Sequence, residues 1–107
     1  MEKVGFRVQL NTDRLDEYIE HHKNVWPEML QALSETGWTN YSLFIDESDG
    51  TLFGYFETPD YEAALSEMAK REVNGRWQEM MAEFFNNIEG KRPDQGFAKL
   101  IQVFHLA

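Results

Sequence analysis

The chain contains no cysteine, so a disulfide framework, a thiolate metal site and a thiol nucleophile are all excluded. Its seven glycines form neither GxGxxG nor a P-loop pattern, and no nucleotide cofactor is expected. HExxH is absent. Adjacent histidines diverge on a helix, so no metal site is expected either. No apolar run approaches the roughly 20 residues of a membrane span, and "MEKVGFRVQL" lacks the charged and apolar regions of a signal peptide. Positive charge is also scarce: 10 Lys and Arg against 19 Asp and Glu leave a net charge of −9. That excess repels nucleic-acid phosphates and anionic lipid but says little about a neutral small molecule. The expectation is a cytoplasmic protein with no cofactor and no nucleic-acid or membrane partner.

What is present suits a single small domain spanning 1–107. An aromatic share of 14% is far above that of disordered chains. In "KVGFRVQL", Val4, Phe6, Val8 and Leu10 alternate with Lys3, Gly5, Arg7 and Gln9, the period of a half-buried strand. Asn11 to Asp13 offer helix-capping oxygens. Leu15, Tyr18, Ile19, His22 and Trp26 then follow at helical spacing. Pro27 predicts a break near Asn24 to Trp26, with helix resuming to a stop near Gly37. "TNYSLFID" and "TLFGYFET", joined by "ESDG", read as a hairpin. "PDYEAALSEMAK" reads as a helix opened by Asp60, and "VNGRWQEMMAEFFNNI" as another weakened by Gly75. "GKRPDQG" reads as a polar loop and "FAKLIQVFHLA" as a last strand. The order β-α-β-β-α-α-β is that of an α+β, ferredoxin-like sandwich. Phe44 and Phe53 fall on the opposite parity from Leu43 and Leu52. The sheet face away from the helices is therefore partly apolar, and pairing two such faces would make a dimeric α/β barrel.

Only three histidines occur, and two are adjacent in "EYIEHHKNVWPEML". Tyr18 and His22 are one turn apart on a helix face, and a phenol beside an imidazole suits proton transfer near neutral pH. The plainer reading has both residues bordering the core stripe of Leu15 and Ile19 with their polar tips at the surface. From spacing alone that is the commoner case. His21 lies about 100° around the helix from His22, so the two cannot share one pocket. His105 reads as a strand histidine with no chemical role. Trp26, Trp77, Tyr41 and Tyr55 could each stack on or bond a sugar, although aromatics dominate small cores. Trp38, just after Gly37, reads as packing.

Taken together these segments resemble the L-rhamnose mutarotases, small dimeric α/β-barrel sugar epimerases. The resemblance runs through "RVQLNTDRLDEYIEHHKNVWPEML", "TGWTNYSLFID", "TLFGYFET", "RWQEMM" and "VFHLA". Its most specific element is EYxxxHxxxWPE, realised as Glu17, Tyr18, His22, Trp26, Pro27 and Glu28, with "NYS" at Asn40 to Ser42. The resemblance implies a homodimeric isomerase that interconverts the α and β anomers of L-rhamnose or a related 6-deoxy sugar. It implies His22 as catalytic proton donor, with Tyr18, Tyr41 and Trp77 at the sugar and no metal or cofactor. Two departures stand out. Arg76 and Trp77 occupy a place where the family usually has two tryptophans, and "KRPDQGF" replaces an "NPDNSP" segment. The rival readings are a cofactor-free monooxygenase of another dimeric α/β-barrel family and a ligand-binding barrel dimer without turnover.

Overall fold

The computed structural model describes residues 1–85 and 97–107. Strand β1 (Glu2–Gln9) is followed by a 3₁₀ turn at Thr12–Arg14 and helix α1 (Leu15–Lys23). Helix α2 (Pro27–Glu35) comes next, then β2 (Thr39–Asp46), β3 (Thr51–Thr58), α3 (Tyr61–Ala69), α4 (Glu72–Met81) and the short β4 (Ala98–Leu100). The four strands form one sheet in the order β2-β3-β1-β4, and every neighbouring pair is antiparallel. The two central strands are not consecutive in sequence, which is the split βαβ arrangement the sequence led us to expect.

Local chemistry accounts for the breaks. Trp26, before the proline, is extended (φ −56°, ψ 134°), because the proline ring disfavours helical backbone in its predecessor. Pro27 then begins α2 at the first helical position, where its missing N–H costs nothing. At the far end of α2, Gly37 takes φ +93°. Its N–H donates to Ser34 O (3.3 Å), while Trp38 N–H donates to Leu33 O (3.0 Å). This is a Schellman closure, and it needs a residue tolerant of left-handed backbone. Asp60 caps α3 by accepting from Ala63 N–H at 3.1 Å. In the β2–β3 turn, Asp46 Oδ1 accepts from Ser48 N–H and Gly50 closes the turn at φ +78°.

Two elements differ from the sequence reading. Helix α4 stops at Met81 and tightens into a 3₁₀ turn at Ala82–Phe84, after which Phe85 is extended and bridges Leu10. The rest of the helix expected to reach Ile88, and the loop expected over 90–96, lie outside the described residues. The last strand pairs only over Ala98–Leu100. Residues 101–107 leave the edge of β1 and are exposed, with Ile101, Val103, Phe104 and Leu106 all at least 79% accessible. A strand period needs a neighbour to become a strand, and the described residues supply none there.

The core forms between the helices and one face of the sheet. Val4, Phe6 and Val8 of β1 and Leu52 and Phe56 of β3 are buried against Leu15, Tyr18, Met29, Met68 and Met81. Gly54 is also buried, and a Cβ on it would lie 2.1 Å from Phe6 Cζ. The glycine is therefore what allows the Phe6 ring to lie flat across the neighbouring strand. On the opposite face Phe44 and Phe53 stand side by side in register. They are 64% and 41% accessible, beside Leu100 at 39%. Among the described residues nothing covers them.

Candidate active site

A cavity of about 390 Å³ opens between the sheet and the helices, within the roughly 300–1,000 Å³ of small-molecule sites. Tyr18 and His22 of α1, Tyr41 of β2 and Trp77 of α4 all line it. The structure thus brings together in one space the four residues singled out from the sequence. Phe6, Val8 and Leu52 make its floor, and Met29, Met68 and Met81 reach in from the helices. Leu30 and Tyr41, the more exposed of its lining residues, mark the mouth.

His22 sits in the last turn of α1, half-buried. Its Nδ1 lies 2.9 Å from the Tyr18 carbonyl oxygen. A carbonyl can only accept, so Nδ1 carries the proton and the neutral ring keeps a lone pair on Nε2. The imidazole packs on the Tyr18 ring at 4.3 Å and meets Trp77 edge-on at 5.5 Å. Burial lowers its pKa. The Nδ1 hydrogen bond opposes that shift, and His21 adds to it weakly. The resting form is therefore neutral imidazole at pH 7. Burial pushes the Tyr18 phenol in the other direction, well above the usual tyrosine range, with Tyr41 adding to the effect. Tyr18 is only 4% accessible and remains an O–H donor at any working pH. The surface placement that spacing alone favoured for its polar tip is thus corrected.

His21 is exposed and its ring meets Phe84 edge-on at 5.6 Å, outside the cavity. His105 lies on the other side of the sheet, where its Nε2 accepts from Lys3 Nζ at 2.7 Å. Tyr55 also faces that side and donates to Glu57 at 2.7 Å. Trp38 is a packing residue, stacked on Phe56 at 3.9 Å and donating Nε1–H to Ala64 O at 3.3 Å. It nevertheless forms part of the cavity wall.

Tyr41 reaches the mouth by a local device. The pairing of β2 with β3 slips by one residue between Thr39 and Ser42, and Asn40 takes φ +48°. Such a bulge re-aims side chains, and asparagine tolerates left-handed backbone better than most residues. Thr39 consequently stays on the uncovered side, bonded to Glu57 O at 2.9 Å, while Tyr41 turns under the helices. The "NYS" segment is the sequence trace of that bulge.

Helix α2 is tied to the N-cap of α4 by Arg71–Glu35 at 2.7 Å and to α4 itself by Arg76–Glu28 at 3.4 Å. Both pairs are solvent-exposed, so screening by water and salt keeps their contribution small. Arg76 also lies over the Trp26 ring at 5.8 Å, and Trp26 in turn meets Trp77 edge-on at 5.0 Å. The departure at Arg76 therefore falls on the outer side of α4, one ring removed from the cavity.

The sequence reading missed two polar residues of the wall. Asn74 and Gln78 are 1% and 9% accessible and line the cavity from α4. Their spacing of one turn on the apolar face of a helix is a signal that could have found them. Among the described residues lining the cavity there is no carboxylate, lysine or arginine. His22 is the one imidazole among those described lining residues. Among the described residues no cluster of three or more His, Asp or Glu could hold a metal, and no helix is long and apolar enough to cross a membrane.

Residues 3–106 match the sequence profile of the L-rhamnose mutarotase family. The L-rhamnose mutarotase of Lactiplantibacillus plantarum is 36% identical over 106 residues, 99% of each chain. That of Listeria monocytogenes serovar 1/2a is 36% identical over 107 residues, the whole of both. Among solved structures, L-rhamnose mutarotase FA22100 from Formosa agariphila superposes with a TM-score of 0.79 at 29% identity, covering all of both chains. A Nitrosomonas europaea protein provisionally described as an antibiotic biosynthesis monooxygenase has a TM-score of 0.61 at 14% identity. It covers 97% of this chain and 100% of its own. That likeness is one of fold alone.

Proposed function

Because this chain belongs to the L-rhamnose mutarotase family, we propose that it is an isomerase interconverting the α and β anomers of L-rhamnose or a related 6-deoxy sugar. The observation that carries the proposal is the meeting of Tyr18, His22, Tyr41 and Trp77 in one cavity, where His22 is the one imidazole among the described lining residues. In the resting enzyme, neutral His22 takes the proton of the anomeric hydroxyl at Nε2. As the C1–O bond to the ring oxygen breaks and the aldehyde forms, the imidazolium gives that proton to the ring oxygen. Both oxygens are bonded to C1, so a small movement of one ring nitrogen serves both. His22 thus acts as donor in the ring-opening step, and its prior role as acceptor supplies the base.

Rotation about C1–C2 and reversal of the two transfers close the ring as the other anomer. Tyr18, held protonated by burial, donates to an oxygen of the reacting centre. Tyr41 at the mouth bonds a hydroxyl, and the Trp77 ring supports the apolar face of the sugar. Charge stays on the imidazole only briefly, which suits a wall whose described residues carry no ions. Positioned acid–base catalysis of this kind supplies about 10²–10⁴-fold. The same proposal has the protein work as a cytoplasmic homodimer, the uncovered faces bearing Phe44 and Phe53 packed together into an α/β barrel. The test is saturation transfer between the anomeric protons of L-rhamnose, measured by NMR with and without the protein. Exchange at the spontaneous rate would overturn the assignment.

A further inference from the structure

The buried amides of α4 have a direction. Asn74 Nδ2 donates to the Met68 carbonyl oxygen at 3.0 Å, one of the terminal carbonyls of α3. That contact fixes which end of the Asn74 amide is nitrogen, since a carbonyl accepts only. Asn74 Oδ1 must then point the other way, where it accepts from Gln78 Nε2 at 3.0 Å. Gln78 is fixed in turn, with its nitrogen committed to Asn74 and its Oε1 turned outward. Among the described residues no protein donor meets Gln78 Oε1, and none of their buried side-chain oxygens or nitrogens lacks a partner. The oxygen is therefore open to the cavity that Gln78 lines.

Closing the end of α3 explains Asn74 and leaves Gln78 unexplained. An amide placed among Trp77, Met81 and Tyr18 costs stability unless its groups are bonded, and a leucine would fill the same wall without that cost. A carboxylate would serve less well, because it could not donate to Asn74 Oδ1 and would bury a charge. A neutral, rigidly turned amide offers a hydrogen-bond acceptor that does not titrate. What such a group recognises is a hydroxyl.

We propose that Gln78, oriented by Asn74 and the Met68 carbonyl, is a specificity residue that accepts a hydrogen bond from one non-anomeric hydroxyl of the sugar through Oε1. The inference rests on the mutarotase reading of the cavity. Asn74 is its positioning residue and makes no contact with the sugar in this arrangement. The acceptor discriminates by what it lacks: a sugar with hydrogen in place of that hydroxyl leaves Oε1 dry and unpaired.

The test compares wild type with Gln78→Met, which keeps length and shape, on L-rhamnose and its 2-, 3- and 4-deoxy analogues, by NMR anomer exchange. For L-rhamnose, Gln78→Met should raise KM roughly five- to one-hundred-fold while kcat changes less than about two-fold. One deoxy analogue should be penalised in wild type, and that penalty alone should vanish in Gln78→Met. In wild type the Gln78 side-chain carbonyl ¹³C resonance should move on adding L-rhamnose and stay still with the penalised analogue, a readout that needs no variant to fold. An unchanged KM in folded Gln78→Met, penalties that all persist, or a carbonyl resonance indifferent to L-rhamnose would each overturn the inference. If wild type exchanges no L-rhamnose anomers, the mutarotase reading falls and takes this inference with it. Wild-type exchange with any of the three adverse results overturns the role of Gln78 alone.

Discussion

The two faces of the sheet are built from the same strands and differ by one residue of register. On one face Val4, Phe6, Val8, Leu52 and Phe56 meet the helices, yet a cavity of about 390 Å³ remains. On the other, Phe44, Phe53 and Leu100 stand in solvent among Lys3, Arg7 and Tyr55. The first face is apolar and enclosed, with a few polar groups of defined orientation. That is the make-up of a site for a small molecule. The second is partly apolar and open around Phe44 and Phe53, and its polar groups are already paired with one another, as Tyr55 is with Glu57. That is the make-up of a surface for a larger partner. One alternating pattern therefore specifies two kinds of recognition.

The strongest way to break this contrast is through the cavity face. Replacing His22 by Asn should lower anomer exchange on L-rhamnose by about 10²–10⁴-fold without unfolding the chain, as checked by NMR exchange rates and circular dichroism. His21→Asn, altering a residue outside the cavity, should keep most of the activity. A dead His21 variant beside an active His22 variant would mean that α1 presents the wrong face.

Glycines sharpen the comparison in stability. On the cavity face, Gly54→Ala drives a methyl group into the Phe6 ring. The expected cost is about 1–3 kcal/mol, the usual range for overpacking, read from the urea midpoint. On the open face Gly5 has nothing nearer than Leu100 Cβ at 3.9 Å, so Gly5→Ala should change stability by less than about 0.5 kcal/mol. Equal costs at the two positions would show that the faces are not differently packed.

The open face is tested by charge. Phe53→Glu should weaken self-association at least tenfold, about 1.4 kcal/mol, as followed by sedimentation, and leave the circular dichroism of the fold in place. A wild-type protein that sediments as a monomer at micromolar concentration would remove the barrel proposal.

The smallest effect is on pH. Burial disfavours the His22 imidazolium, so the neutral base persists to lower pH than in a free histidine. The acid limb of kcat/KM should have its midpoint below about 6.5. A midpoint above that value would mean that a negative charge, rather than an apolar wall, faces the imidazole.

Much of this molecule was legible in the order of its residues. The alternation in "KVGFRVQL" set the buried face of β1, Pro27 divided α1 from α2, and Gly37 ended α2. In each case the cause acts within a few residues: the pleat, the proline ring, or tolerance of positive φ. The pairing of Tyr18 with His22 on one helix face was equally readable, and so was the divergence of His21. The family resemblance named the four residues that share a cavity. Less legible were the ends of α4 and of the last strand, because each depends on a distant neighbour. Phe85 leaves the helix to bridge Leu10, and residues 101–107 have no strand beside them among the described residues.

Sequence by itself determined the elements, the parity of each strand and the chemical inventory: no thiol, three histidines, and an aromatic wall in place of an ionic one. Only the tertiary structure decided what those groups are. It buried Tyr18 and thereby fixed it as a donor, and it desolvated His22 and thereby left it a neutral base at rest. It also turned Gln78 by way of Asn74 and the end of another helix. The physical reason is that protonation and hydrogen-bond direction are set by dielectric and by partners within about 3–4 Å in space. Those neighbours come from residues far apart in the chain, as Met68, Asn74 and Gln78 meet His22 and Tyr41 around one cavity.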